Sequence, residues 1–151
     1  MSETLRIGLA GLGVVGGGVL KLLDAQRDLL HSRCGRYLEL VAVSARRRTR
    51  ADGPDISSLK WYDDAAALAE DPAVDVICEL IGGSDGIALA LSRAALGNGK
   101  HLVTANKALL AHHGNELARM AEDCGVHLGY EAAVAGGIPI IKALREGLSA
   151  N

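Results

Sequence analysis

The sequence predicts an α/β fold, a doubly wound, mostly parallel sheet with helices on both faces, in one domain over residues 1–151. Three observations predict it. Short apolar runs alternate along the chain with stretches whose apolar residues recur at helical spacing, the pattern of βαβ crossovers. A glycine cluster falls at the first strand-to-helix turn. Aromatic residues are 3% with no Phe, while Gly numbers 19, so the core is built of Ala, Val, Leu and Ile with close backbone approaches, as suits a parallel sheet covered by helices.

Leu5 to Ala10 is an apolar run ending at Gly11, and Val15, Val19, Leu22, Leu23, Leu29 and Leu30 then recur helically, so a strand, a tight turn and a helix are expected. Leu38 to Ser44 is rich in Leu and Val and bounded by Gly35 and by Arg46, Arg47, Arg48 and Arg50, which marks a second strand. Arg46 to Ser58, with Gly53 and Pro54, reads as a surface loop. Lys60 to Tyr62 is a short third strand, followed by a helix over Ala65 to Glu70 that ends near Pro72. Asp63 and Asp64 are placed to cap that helix.

Val74 to Ile81 is the most apolar strand, closed by Gly82 and Gly83, and a helix over Ile87 to Leu96 stops at Gly97 and Gly99. His101 to Thr104 is the next strand. A helix carrying Leu109, Leu110, Leu117, Met120, Ala121 and Cys124 ends at Gly125. Val126 to Tyr130 is expected as a further strand, and Pro139 as the opening of a last helix to about Leu148. No repeat, low-complexity tract or linker divides the chain.

A formal net charge of −2 gives no broad reason to bind nucleic acid or an anionic membrane. No apolar run reaches the roughly 20 residues of a membrane span, and Met-Ser-Glu-Thr lacks a signal-peptide layout, so a cytoplasmic protein is expected. Cys34, Cys78 and Cys124 are widely spaced and odd in number, which indicates reduced thiols rather than a disulfide framework or zinc site. His112 and His113 are adjacent on a helix and point in different directions, which disfavours a shared metal.

Gly11-Leu12-Gly13-Val14-Val15-Gly16 is a Gly-x-Gly-x-x-Gly pattern between a strand and a helix, the setting that a dinucleotide fingerprint requires. Gly11 permits the tight turn and Gly13 lets the backbone approach a pyrophosphate. Gly16 allows close packing of helix on strand, and the free N–H groups of the helix start face the phosphates. An acid at the carboxyl end of the second strand would hold ribose hydroxyls, but that end is Ser44-Ala45-Arg46. Glu39 lies at the strand's opposite end and is rejected. Arg46, or secondarily Arg47, is placed to accept a 2′-phosphate, favouring NADP over NAD or permitting both; a solvated basic loop is the alternative reading.

Three further segments resemble successive motifs of the homoserine dehydrogenase family: Glu79-Leu80-Ile81-Gly82-Gly83, Val103-Thr104-Ala105-Asn106-Lys107-Ala108-Leu109-Leu110, and Glu131 through Val134, Gly136 and Gly137 to Pro139 and Ile141. The resemblance runs from about Leu5 to Asn151. It implies a Rossmann-like NAD(P)-binding domain of an oxidoreductase that interconverts L-homoserine and L-aspartate 4-semialdehyde in threonine, methionine and isoleucine biosynthesis. It implies cofactor contacts at Gly82, Gly83, Thr104, Asn106 and Lys107, all after predicted strand ends. By the same likeness Lys107 is an active-site lysine, and Glu131, Val134 and Gly136 offer oxygens to a monovalent cation such as sodium.

The family continues beyond the position of Asn151 into a substrate and dimerisation domain that carries its catalytic Asp and second Lys. This chain is therefore expected to be a fragment that binds cofactor without turnover, of an enzyme that is a homodimer at full length. A related amino-acid or sugar dehydrogenase domain, or a stand-alone dinucleotide sensor or interaction module, are the competing readings.

Overall fold

A computed structural model of the chain describes residues 3–48, 55–136 and 138–148. Six strands form one parallel sheet: β1 (Thr4–Ala10), β2 (Tyr37–Ser44), β3 (Lys60–Tyr62), β4 (Val76–Glu79), β5 (His101–Thr104) and β6 (Leu128–Gly129), in the order β3-β2-β1-β4-β5-β6. The helices between them are α1 (Val14–Ala25), α2 (Arg27–Cys34), α3 (Ala65–Glu70), α4 (Ile87–Gly97) and α5 (Lys107–Asp123), and α6 (Ile140–Lys142) follows the last strand. The order reverses between β1 and β4, so the loops after these strands diverge and leave a crevice at the carboxyl edge.

Alternation along the strands divides the core between two faces. Ala10, Ala42, Ile77, Leu102 and Leu128 face α3, α4 and α5, whose Leu68, Leu91, Leu96, Leu109 and Leu117 are wholly buried. Leu9 and Val43 face the other way and bury Leu20 of α1. Helices cover both faces as expected, but the α1 side is covered less completely, and Val103 of β5 is 39% exposed.

Several boundaries differ from the sequence expectation. The first helix divides at Gln26, whose φ of −117° and ψ of 22° separate α1 from α2, although the apolar recurrence runs through the break. The strand expected over Val74 to Ile81 is shorter because the Val74 N–H closes a turn onto the Asp71 carbonyl while Leu80 and Ile81 enter the following loop. The strand expected over Val126 to Tyr130 is only β6, because the Val126 N–H closes α5 onto Ala121 and Tyr130 begins a 3-10 turn, Glu131–Ala133. The last helix is one turn of α6 capped by Pro139, followed by a π-helical turn, Ala143–Gly147. Gly97 is the last residue of α4 rather than a stop beyond it, while Gly99 and Gly125 take positive φ as helix-ending residues. Arg50, Gly53, Pro54 and Gly137 lie outside the described residues.

Candidate dinucleotide site

The turn from β1 to α1 is built by two glycines that tolerate no side chain. Gly11 has φ +103°, its N–H donates to the Ser44 carbonyl at 2.8 Å, and a Cβ there would lie 2.5 Å from the Leu80 carbonyl oxygen. A Cβ on Gly16 would lie 1.8 Å from the Gly11 carbonyl oxygen. Gly13 is the opposite case. It is the N-cap of α1 with an ordinary φ of −71°, and a Cβ would meet nothing within 4 Å. The bare backbone at Gly13 thus faces open space at the N-terminal end of α1, where a helix leaves its first N–H groups without partners in the helix.

That space is a cleft of about 540 Å³. Gly11, Leu12 and Gly13 line it from β1, and Ser44, Ala45, Arg46 and Arg47 from β2. Leu80, Ile81 and Ile87 close its apolar side, and Asp63 and Ala65 stand beyond β3. Ser44 is buried, whereas Arg46 and Arg47 are exposed with no ion-pair partner among the described residues. Val14 and Val15 stand 85% and 57% exposed at the start of α1. Glu39 pairs in register with Arg6 near the amino end of the sheet, far from this cleft, in keeping with its rejection.

The remaining predicted residues gather at the loops after β4 and β5. Gly82 and Gly83 have φ of +85° and +88°, conformations that favour glycine. The Asn106 side chain caps α5 by accepting from the Leu109 N–H at 3.1 Å, and its amide donates to the Gly83 carbonyl at 2.6 Å. Thr104 is wholly buried behind the loop; its hydroxyl donates to Glu79 Oε2 at 2.6 Å and accepts from the Asn106 N–H at 3.0 Å. Lys107, the first residue of α5, is exposed and has no ion-pair partner among the described residues. Its ammonium stands at a helix N-terminus, where the macrodipole opposes a cation.

Glu79 opens one of the family-like motifs, which assigns it no contact with cofactor or substrate. It is fully buried, and its Oε1 accepts the N–H groups of Ile81 at 2.7 Å and Gly82 at 3.3 Å while Oε2 takes the Thr104 hydroxyl. This one carboxylate ties the β4 loop to β5. A charged residue closing a strand of apolar neighbours was the available signal, since a buried charge needs several donors.

Of the adjacent acids, only Asp64 caps α3, accepting from the Ala66 N–H at 2.9 Å; Asp63 instead accepts from the Trp61 indole N–H at 2.8 Å. His113 contacts Asp85 at 3.0 Å and Glu116 at 3.7 Å, and no group of three or more metal-ligating side chains occurs among the described residues. The cysteines are unpaired, and burial pushes the Cys78 thiol up to about 11. No helix among the described residues is long and apolar enough to cross a membrane.

Around Glu131 the backbone turns through Ala135 at φ +53° and Gly136 at φ +63°. Both Glu131 oxygens accept backbone N–H groups at the start of α6, Ile141 at 3.1 Å and Lys142 at 3.2 Å. The carboxylate thus spans the turn and the start of α6, with its two described partners both backbone N–H donors.

A parallel sheet with its crevice at the order reversal, a glycine turn closed at Gly11 and Gly16 and open at Gly13, and a basic cleft wall together define a dinucleotide-binding domain. Comparison with known proteins narrows the class. Residues 11–131 match the family model described as homoserine dehydrogenase, NAD binding domain. Homoserine dehydrogenase of Pseudomonas aeruginosa is 46% identical over 149 residues, and that of Neisseria gonorrhoeae 46% over 151; each alignment covers 99% of this chain and 34% of the relative. The crystal structure of a homoserine dehydrogenase from Thiobacillus denitrificans superposes with TM-score 0.88 at 44% identity, covering 98% of this chain and 34% of that one. The chain belongs to the family of homoserine dehydrogenase NAD-binding domains, and it spans about a third of the length of these relatives.

Proposed function

We propose that this chain is the cofactor-binding part of a homoserine dehydrogenase, holding NADP(H) or NAD(H) while a further domain supplies the rest of the active site. The observation that carries the reading is the contrast among the three glycines, with steric closure at Gly11 and Gly16 and vacant approach at Gly13. Gly11 through Gly16, with Leu12, Val14 and Val15 beside the helix start, would hold the pyrophosphate. Ser44, Arg46 and Arg47 would meet the adenosine ribose, and the two guanidinium groups, without ion-pair partners among the described residues, suit a 2′-phosphate.

The nicotinamide supplies the hydride acceptor or donor when bound. Gly82 and Gly83 would line its place, held from behind by Asn106, Thr104 and Glu79. Lys107 would set its ammonium beside the substrate oxygen that alternates between aldehyde and alcohol, stabilising charge there. Glu131 with the carbonyls of Val134 and Gly136 would hold a monovalent cation, a reading that rests on the resemblance and on the preference of hard cations for oxygen ligands. L-homoserine and L-aspartate 4-semialdehyde as substrates, a role in threonine, methionine and isoleucine biosynthesis, a homodimeric full-length enzyme and a cytoplasmic location belong to the same proposal.

Calorimetry with NADPH and NADH on this chain, alongside assays of homoserine oxidation by the chain and by a full-length enzyme carrying it, tests the reading. Expected are one binding site on the chain without turnover, and homoserine-dependent NAD(P)H formation only by the longer protein. Lys107→Ala in that protein should lower turnover far more than cofactor affinity. Failure of the chain to bind either cofactor overturns the proposal.

A further inference from the structure

We infer that Asp63 reads the adenine base of the dinucleotide, its carboxylate accepting a hydrogen bond from the 6-amino group; this rests on the dinucleotide reading above. Asp63 is the acid that helix capping leaves over, because Asp64 performs that task. Its Oδ1 is held by the Trp61 indole N–H at 2.8 Å, and Trp61 is itself packed against the cluster of Leu9, Leu20 and Val43 with the Arg48 guanidinium 5.7 Å from its ring centre. The carboxylate is therefore oriented before any ligand arrives. Trp61 is its only hydrogen-bond partner among the described residues, and the side chain lines the same cleft as Gly13 and Arg46.

Position selects the base rather than another part of the ligand. Along the carboxyl edge the open glycine follows β1, Ser44 ends β2 with Arg46 just beyond it, and Asp63 follows β3, with Ser44 registered against Tyr62. Phosphate, ribose and base succeed one another in a dinucleotide in the same order, and two strand spacings carry the cleft about 10 Å from β1 to β3. Ala65, Ile81 and Ile87 line the cleft and supply apolar surface for a purine ring. An ionised carboxylate only accepts hydrogen bonds and repels phosphate, so it matches an amino donor. It also repels the carbonyl oxygen that hypoxanthine carries at the same ring position, which makes the contact selective as well as attractive.

The test is the dissociation constant, by calorimetry, of NAD and of nicotinamide hypoxanthine dinucleotide for the wild-type chain, Asp63→Ala and Asp63→Asn. The wild type should bind the adenine form about tenfold more tightly, the scale of one charge-assisted hydrogen bond at an exposed site. In Asp63→Ala the ratio should fall close to one. Asp63→Asn keeps an acceptor for Trp61 and gains an amide donor for the hypoxanthine carbonyl, so its ratio should fall to one or below with the fold preserved. A wild-type ratio near one, a ratio that survives either substitution, or an equal loss of both ligands with the ratio unchanged overturns the assignment, the last pointing to a ribose or structural role. Absence of binding of both dinucleotides to the wild type overturns the dinucleotide reading itself.

Discussion

The amino and carboxyl edges of the sheet both collect charged residues and use them in opposite ways. At the amino ends of β1 and β4, Arg6 and Asp75 form a two-point ion pair, Nη2 to Oδ1 at 2.6 Å and Nε to Oδ2 at 3.0 Å. Nearby, Asp71 accepts from the Tyr62 hydroxyl at 2.7 Å, the Lys60 ammonium at 3.1 Å and the Ala73 N–H at 2.8 Å, while the buried Lys100 ammonium donates to the carbonyls of Asp71 and Val74, both at 2.6 Å. At the carboxyl edge Arg46, Arg47 and Lys107 have no ion-pair partner among the described residues. One edge spends its polar groups on the fold. The other keeps them available for a ligand, and where polar groups there are fully bonded, as at Glu79, they fix the loops that present it.

The sharpest way to break this contrast is inside the glycine turn, where neighbouring positions should separate stability from binding. Gly16→Ala drives a methyl into the Gly11 carbonyl oxygen, a backbone atom that a rotamer change cannot move aside, and should cost at least about 3 kcal/mol, at or beyond the upper end of ordinary overpacking effects. Gly13→Val has open space and an ordinary φ, so its melting temperature should stay near wild type while affinity for NAD and NADP is lost. Thermal melts paired with calorimetry check both, and unchanged cofactor affinity in Gly13→Val would remove the pyrophosphate assignment.

Glu79 is a carboxyl-edge residue that should behave like an amino-edge one. Glu79→Ala strands the N–H groups of Ile81 and Gly82 and the Thr104 hydroxyl, and should destabilise by about 3 kcal/mol in urea titration. A loss below about 1 kcal/mol would mean that water replaces the carboxylate and the loop is not fixed by it.

At the amino edge the effect should appear as pH dependence. The Tyr62 hydroxyl first, then the Ala73 N–H and Lys60, hold the Asp71 carboxyl down at about 2, against 3.8 for an ordinary aspartate. Because the folded value is the lower one, the contribution is complete above pH 3.8 and is lost as pH falls toward 2. The shift corresponds to about 2 kcal/mol for this nearly buried side chain. Denaturant titrations between pH 5 and pH 2 should show that slope in the wild type, and Asp71→Asn should flatten it.

The two edges were unequally legible in the sequence. Lys60–Tyr62, Ala65–Glu70 and His101–Thr104 fall where apolar runs and caps place them, and in the glycine fingerprint Gly11 and Gly16 answer local backbone demands while Gly13 answers none within the chain and leaves open space instead. The break at Gln26 was hidden because Leu22, Leu23, Leu29 and Leu30 keep helical spacing across it. The partners of Asp71, Lys100 and Glu79 lie up to 29 residues away, a separation that periodicity does not encode. Asp63 and Asp64 looked equivalent as neighbours, and only the approach of the Trp61 indole distinguishes them.

The smallest expected effect bears most directly on the open edge. Arg46 follows the carboxyl end of β2, where an acid would be needed to hold both ribose hydroxyls, and its guanidinium is exposed on the cleft wall. A 2′-phosphate placed there gains charge-assisted hydrogen bonds, whereas the 2′-hydroxyl of NAD offers a neutral group that water serves nearly as well. Exposure puts the gain at the low end for bonds to charged groups, so Arg46→Ala should weaken NADPH binding by about 1.5 kcal/mol and leave NADH within about 0.5 kcal/mol. Arg47 lines the same wall and should compensate in part, which makes the double variant more selective against NADPH than either single one. The salt dependence should follow the same order, steepest for NADPH on the wild type, because an exposed charge pair is screened as ionic strength rises. Calorimetry at two salt concentrations reads all of this, and equal losses for NADPH and NADH in Arg46→Ala would place the guanidinium in general cofactor attraction instead of 2′-phosphate recognition.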